Sequence, residues 1–143
     1  MTISFRSFEE RDLPEYRSWF SDAELSRRLS FPTDEWFAYT RSNSVRCWLA
    51  TDAQNGLVGQ IQIDEDGNGA GHFDMAIKPS LRRMGLGAEM LRAFLREHGG
   101  SYSALHATVE TDNWASIACL QRCGFEPERE LDADGFMQFH KVT

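Results

Sequence analysis

The stretch Arg82-Arg83-Met84-Gly85-Leu86-Gly87 decides the reading of this chain. It follows an apolar run that ends in Ala76-Ile77-Lys78-Pro79, and it opens a helical stretch from Ala88 to His98. Closely spaced glycines let the backbone turn tightly and approach a ligand with no Cβ in the way. The amides of such a turn, with the unpaired N–H groups of a helix start, form a pocket for an anion. Arg82 and Arg83 add positive charge. The chemistry this implies is diphosphate binding by Arg82, Arg83 and the backbone of Met84, Gly85, Leu86, Gly87 and Ala88.

The spacing excludes two other phosphate loops. A P-loop has four residues between its glycines and then Lys-Ser/Thr, which is absent here. A dinucleotide-binding turn has a third glycine three residues after the second, and that position is Met90. What remains is Arg-x-x-Gly-x-Gly after a strand.

Downstream, Leu105-His106-Ala107-Thr108-Val109 alternates apolar and polar residues and reads as a strand. A helix of about ten residues follows within Glu110 to Phe125. Asp112 or Asn113 is placed to cap it, and Gly124 to end it.

In this order and spacing the two stretches resemble the GCN5-related N-acetyltransferase (GNAT) superfamily. The family's acetyl-CoA loop, Arg/Gln-x-x-Gly-x-Gly/Ala, is matched by Arg82, Gly85 and Gly87. Its later motif, Asn-x-x-Ser/Ala with a large residue four further on and then Gly-Phe, is matched by Asn113, Ser116, Leu120, Gly124 and Phe125. The resemblance is strong over residues 71 to 126. It is looser at the start, where Arg6, Glu9-Glu10-Arg11-Asp12-Leu13 and Trp19 look like the opening strand and helix of many bacterial members.

The remaining chain carries ordinary α/β signals. Ile3 to Phe8 reads as a first strand. Asp12 with Glu15 makes a capping box, with Pro14 in the first turn. Leu13, Tyr16, Trp19 and Phe20 then share one helical face. Asp22 to Leu29 reads as a second helix, and Glu35 to Thr40 as a helical turn. Val45 to Thr51 and Leu57 to Ile63 flank the hairpin signal Asn55-Gly56. His72 to Ile77 is the next strand, Gly99-Gly100 terminates the long helix, and Phe125 to Leu131 pairs with Phe136 to Val142 around Asp134-Gly135. The order is β-α-α-β-β-β-α-β-α-β-β. The resemblance then implies one α/β (α+β) GNAT domain over residues 1–143. It would have a mixed central sheet of six to seven strands, about four flanking helices, and splayed fourth and fifth strands.

Composition sets outer bounds. The chain has 143 residues, 41 % of them hydrophobic and 26 % charged, as in a soluble globular protein. A net charge of −7 disfavours nucleic acid as a partner and suits a cationic acceptor. No apolar run is long enough for a membrane span. The N-terminus lacks a signal-peptide core, and three cysteines argue against a disulfide framework, so the cytoplasm is the expected compartment. Cys119 and Cys123 share a helix face and read as reduced core residues rather than metal ligands. A homodimer is compatible with all of this.

By the resemblance, the strand ending in Met75, Ala76 and Ile77 would hold the pantetheine arm through its backbone, in the manner of an added strand. Asn113 and Ser116 would contact the cofactor from the other side, with a cap and a packing residue as their structural readings. The implied reaction is direct attack of a neutral primary amine, on a small molecule or a protein N-terminus, on the acetyl thioester. A backbone N–H near Met75 would stabilise the oxyanion.

The base is open: Glu110 at the end of the fifth strand, or Asp74 on the fourth, with His72, His106 and Thr108 nearby. The acid departs from the family, because Leu120 stands where many members have tyrosine. Cys119, Cys123, Tyr102 and Tyr39 are alternatives by chemistry alone. Two other functions stay open: an aminoglycoside-type antibiotic acetyltransferase, and an acyl-CoA-binding module without catalysis, which Leu120 keeps in view.

Overall fold

The computed structural model describes residues 2–143. Seven strands form one sheet in the order β1-β2-β3-β4-β5-β7-β6. They are β1 (Ser4–Ser7), β2 (Val45–Asp52), β3 (Gly56–Glu65), β4 (Ala70–Ile77), β5 (Ala104–Val109), β6 (Glu126–Pro127) and β7 (Met137–Val142). Every pairing is antiparallel except β4 with β5. The helices are α1 (Leu13–Ser18), α2 (Ala23–Arg28), α3 (Asp34–Thr40), α4 (Leu86–His98) and α5 (Trp114–Arg122). The mixed sheet with flanking helices is the expected architecture. The helix beyond the expected set is α3, which forms where the aromatic cluster suggested only a helical turn. Thr33 caps it by accepting from the Trp36 N–H.

Strand alternation sorts the sheet into two faces. Ile61, Ile63, Phe73, Leu105 and Phe139 point to one face and pack under Met90, Leu91 and Phe94 of α4 and Ile117 and Leu120 of α5. Full burial of each such side chain stabilises by about 1.5–3 kcal/mol. Gly59 lets α4 come close, since a Cβ there would lie 2.3 Å from the Met90 Sδ. The opposite face is covered only in part. Cys47, Leu49 and Ala76 pack with Leu13, Tyr16, Trp19, Phe20 and Leu25 of the α1–α2 region. On that same face, β5 and β7 present His106, Thr108, Gln138 and His140, all only half-buried.

Several local expectations are corrected. The capping box is formed one turn earlier than Asp12 and Glu15: Glu9 and Asp12 are its partners. Asp12 is buried by its bond to Arg6, so it is unavailable as a surface cap. Gly99-Gly100 does not stop the chain in a left-handed turn. The long helix still terminates there as expected: α4 ends at His98 with Gly99, at φ −59°, as its C-cap, and a tight turn, Gly99–Ser101, follows. The strand read over Phe125 to Leu131 is reduced to Glu126–Pro127. Pro127 has no N–H to continue a ladder. Beyond Glu128, whose N–H still reaches Gln138, the chain turns around Asp132. Cys119 is half-exposed rather than buried, while Cys123 is buried.

Candidate active site

The site is built where β4 and β5 part. Their parallel pairing covers Ala70↔Ala104, Gly71↔Leu105 and His72↔His106, and stops there. The Lys78 N–H bonds back to Val58 on β3. Backbone groups alternate along a strand, so those of Phe73, Met75 and Ile77 face away from β3, into the gap. This leaves a strand edge with free donors and acceptors, including the Met75 amide, opposite a β5 that has turned aside. The splay expected of the fourth and fifth strands is present.

The turn before α4 closes one end of the gap. Gly85 is the N-cap of α4 at φ +72°, and Arg83, two residues earlier, holds φ +64°. No side chain caps the helix, and its first internal bond is Glu89 N–H to the Gly85 carbonyl at 3.3 Å. The amides of Leu86, Gly87 and Ala88 therefore lack intrahelical partners. Left-handed residues interspersed in such a turn make a concave set of N–H donors suited to a phosphate. A Cβ built on Gly87 would meet Cys119 Sγ and Met75 Cε at 3.7 Å and Ile77 Cγ1 at 3.8 Å. Gly87 thus faces a cup of Met75, Ile77 and Cys119. Edge, cup and amide turn together fit a phosphopantetheine thioester.

Arg82 is held by a partner distant in the chain. Its guanidinium bonds the Asp22 carboxylate at 2.6 Å, and Asp22 also caps α2 by accepting from Leu25 at 2.9 Å. The bond to Arg82 is the main cause that holds Asp22 below the usual carboxylate range. An open cleft of about 440 Å³ lies beside this contact, lined by Trp19, Asp22, Lys78 and Ser80 among others. Arg83 is exposed and free to reach a phosphate.

At the other end of α2, Arg28 bonds Asp112 at 2.8 Å and Glu110 at 3.2 Å. Helix α2 therefore runs from the end of β4 to the end of β5, across the mouth of the gap. Glu110 is engaged by Arg28. Asn113 caps α5, accepting from the Ser116 N–H at 3.3 Å. Asp74 sits on β4, on the partly uncovered face. It touches solvent on one side but is crowded by protein on the others, and that desolvation raises its pKa. His72 opposes the rise and Asp64 adds to it. Around it, Gln62 bonds the Trp36 indole at 2.9 Å and donates to Asp64 at 2.8 Å, and Tyr39 donates to Asp64. Leu120 is 4 % exposed and belongs to the core.

The family model of the GNAT acetyltransferase domain matches residues 2–126, and the chain belongs to that family. It is an N-acetyltransferase, and acetyl-CoA is the family's usual acetyl donor. Its sequence is 29 % identical over 138 residues to the uncharacterised N-acetyltransferase YfmK of Bacillus subtilis (strain 168), covering 93 % of this chain and 92 % of that protein. Its fold is similar to that of the aminoglycoside acetyltransferase AAC(6')-Ib solved with coenzyme A and kanamycin. The TM-score is 0.81 at 20 % identity, over 99 % of this chain and 95 % of the other. It is also similar to the spermidine N-acetyltransferase of Vibrio cholerae solved with CoA and spermine, with TM-score 0.81 at 17 % identity over 98 % and 95 % of the two chains. Among the described residues no helix is long and apolar enough to cross a membrane.

Proposed function

We propose that this protein transfers an acetyl group from acetyl-CoA to a primary amine carried by a cationic acceptor. The observation that carries the reading is the placement of Asp74 and the Met75 amide on adjacent residues of the splayed β4 edge. The Met75 N–H faces the gap, while the Asp74 side chain stands on the polar face beside it. When bound, acetyl-CoA supplies an activated thioester. The Met75 amide donates to the thioester carbonyl oxygen as charge builds there. Arg83, Arg82 and the amides of Met84 to Ala88 hold the diphosphate. Met75, Ala76 and Ile77 line the arm, with Asn113 and Ser116 on the α5 side. Asp74 meets the acceptor ammonium and draws off its proton, leaving a lone pair on nitrogen. Asp74 takes this role ahead of Glu110 because Arg28 already holds the Glu110 carboxylate. The raised pKa of Asp74 makes it a better proton acceptor than an ordinary surface aspartate.

Asp64 and Asp74 lie near one another on one face of β3 and β4, an acidic surface that favours polycationic amines. That charge pattern supports aminoglycosides and polyamines, the ligands seen in the two structural neighbours, as the first compounds to test. Thiol release measured against an amine panel tests the reading. Asp74→Asn should lower kcat by about 10²–10⁴-fold while calorimetry shows acetyl-CoA binding unchanged. An Asp74→Asn enzyme with wild-type kcat removes Asp74 from the mechanism.

A further inference from the structure

Beside Asp74, four side chains from β4, β5, β7 and the turn before β7 form an oriented chain. His72 Nε2 lies 2.9 Å from Thr108 Oγ1, Thr108 Oγ1 lies 3.0 Å from Gln138 Oε1, and Gln138 Nε2 lies 2.7 Å from Asp132 Oδ2. The direction of each bond follows from the far end. Asp132 accepts backbone N–H bonds from Asp134 and Phe136 at 2.9 Å each, so it is an ionised acceptor. Gln138 must therefore turn its NH₂ toward Asp132, which leaves Oε1 facing Thr108. The single Thr108 hydroxyl proton is spent on that oxygen. Thr108 can then only accept from the ring, and His72 must carry its proton on Nε2.

The consequence is chemical. With Nε2–H fixed, the neutral ring keeps its lone pair on Nδ1. Protonation at Nδ1 yields imidazolium without breaking any bond in the chain, because Nε2 remains a donor. His72 is also the last residue of β4 paired to β5, where the gap begins. It shares a strand face with Asp74, two residues on. The charged and titratable groups around it are Asp74 on its own strand, Asp64 opposite it on β3, His106 opposite it on β5, and Asp132 at the end of the chain. Tyr39 of α3 reaches it only through Asp64.

Resting on the amine-acetylation reading above, we propose that His72 is a positioning residue that receives, on Nδ1, the proton Asp74 takes from the acceptor. Thr108, Gln138 and Asp132 hold its ring in the one tautomer able to do so. The acceptor N–H bond breaks, its electron pair stays on nitrogen for attack, and the proton passes from the Asp74 carboxyl to Nδ1. The Asp74 carboxylate is thereby regenerated, and His72 later releases the proton to water.

The test combines a tautomer measurement with pH profiles. Nitrogen-15 NMR of the ligand-free protein should show the Nε2–H tautomer for His72, and Thr108→Val should lose that preference while Thr108→Ser keeps it. In the wild type, kcat/KM should rise with pH through an ionisation that is missing in His72→Gln, whose kcat should fall about 10²-fold with acetyl-CoA affinity unchanged. Thr108→Val should lower kcat in the same direction, and Thr108→Ser should restore it. An active wild type whose pH profile and kcat survive His72→Gln overturns this proposal alone. An Nδ1–H tautomer also overturns it. A wild type that binds acetyl-CoA but acetylates no amine overturns the parent reading, and this proposal with it.

Discussion

Arg82 and Asp22 meet at 2.6 Å, which ties the diphosphate turn to the N-cap of α2. One guanidinium therefore serves two claims: the carboxylate it holds in the free protein and the phosphates the turn is shaped for. Both lie at the mouth that α2 spans. On the proposed reading, cofactor arrival would trade an internal ion pair for an external one.

Removing the guanidinium should weaken acetyl-CoA binding. Arg82→Ala is expected to raise the Kd by about ten- to a hundredfold, the scale of a lost charge-assisted hydrogen bond, and the effect should shrink as salt rises. Asp22→Asn keeps a capping side chain but frees Arg82. It should tighten binding by about two- to fivefold, the scale of an exposed pair. Calorimetry at low and high salt reads both. Equal losses at the two salt concentrations would mean that Arg82 acts through packing.

Gly87 should be sensitive for binding and tolerant for folding. The nearest neighbours of an added Cβ stand at 3.7 Å, an ordinary contact distance, so a Cβ fits the free protein. A larger side chain there would fill the cup of Met75, Ile77 and Cys119 beside the helix amides and block the cofactor's approach to them. Gly87→Val is expected to unfold near the wild-type temperature and to bind acetyl-CoA at least about a hundredfold more weakly, a loss comparable to several phosphate bonds. Unchanged affinity in calorimetry would move the diphosphate elsewhere.

The sequence was legible where chemistry is local. Glycine spacing after a strand announced the amide turn, and Asn113 with Gly124 announced the bounds of α5. The pairings that complete the site were hidden because their partners lie far apart in the chain. Arg82 and Asp22 are 60 positions apart, and Arg28 and Asp112 are 84 apart. His72, Thr108 and Gln138 lie on three separate strands, and only the registers of β4 with β5 and of β5 with β7 bring them together. The left-handed Arg83 carried no residue signal, since glycine is the usual marker of that conformation. The expected strand over Phe125 to Leu131 rested on the hairpin signal Asp134-Gly135, which does not report that Pro127 ends the ladder early.

Acid should expose the role of the Arg6–Asp12 pair. Burial alone would raise the Asp12 pKa, but the Arg6 bonds at 2.7 and 2.8 Å and the Glu9 amide outweigh it, and the net shift is downward. A lowered folded value means the stabilisation is complete above the unfolded carboxylate pKa, about 3.9. It is lost as pH falls through the folded value. Asp12→Asn should cost about 2 kcal/mol at neutral pH, read by thermal denaturation. The gap between variant and wild type should narrow below about pH 4. A gap that is constant down to pH 2 would assign the loss to packing instead.

Leu120 sets the last expectation. The leucine is 4 % exposed and packs with Ile117, Cys123 and Phe125, so the chain has core where many relatives have a phenol. On the proposed reading, positioning and the Met75 amide carry the reaction without a tyrosine acid at this place. Well-oriented reactants account for about 7 kcal/mol or more of barrier reduction, while general-acid catalysis adds about 10²–10⁴-fold. The wild type should therefore turn over slowly, and its kcat should show no falling limb near pH 10, where a phenol loses its proton. Leu120→Tyr adds bulk to a filled core and should cost about 1–3 kcal/mol of stability. It raises turnover only if the ring swings out of the core to the thioester sulfur, in which case an alkaline limb appears with it. A limb shifted above pH 10 would instead point to Tyr39, raised by its bond to Asp64, or to Tyr102, which burial pushes up to about 12. Replacing each with phenylalanine would identify which.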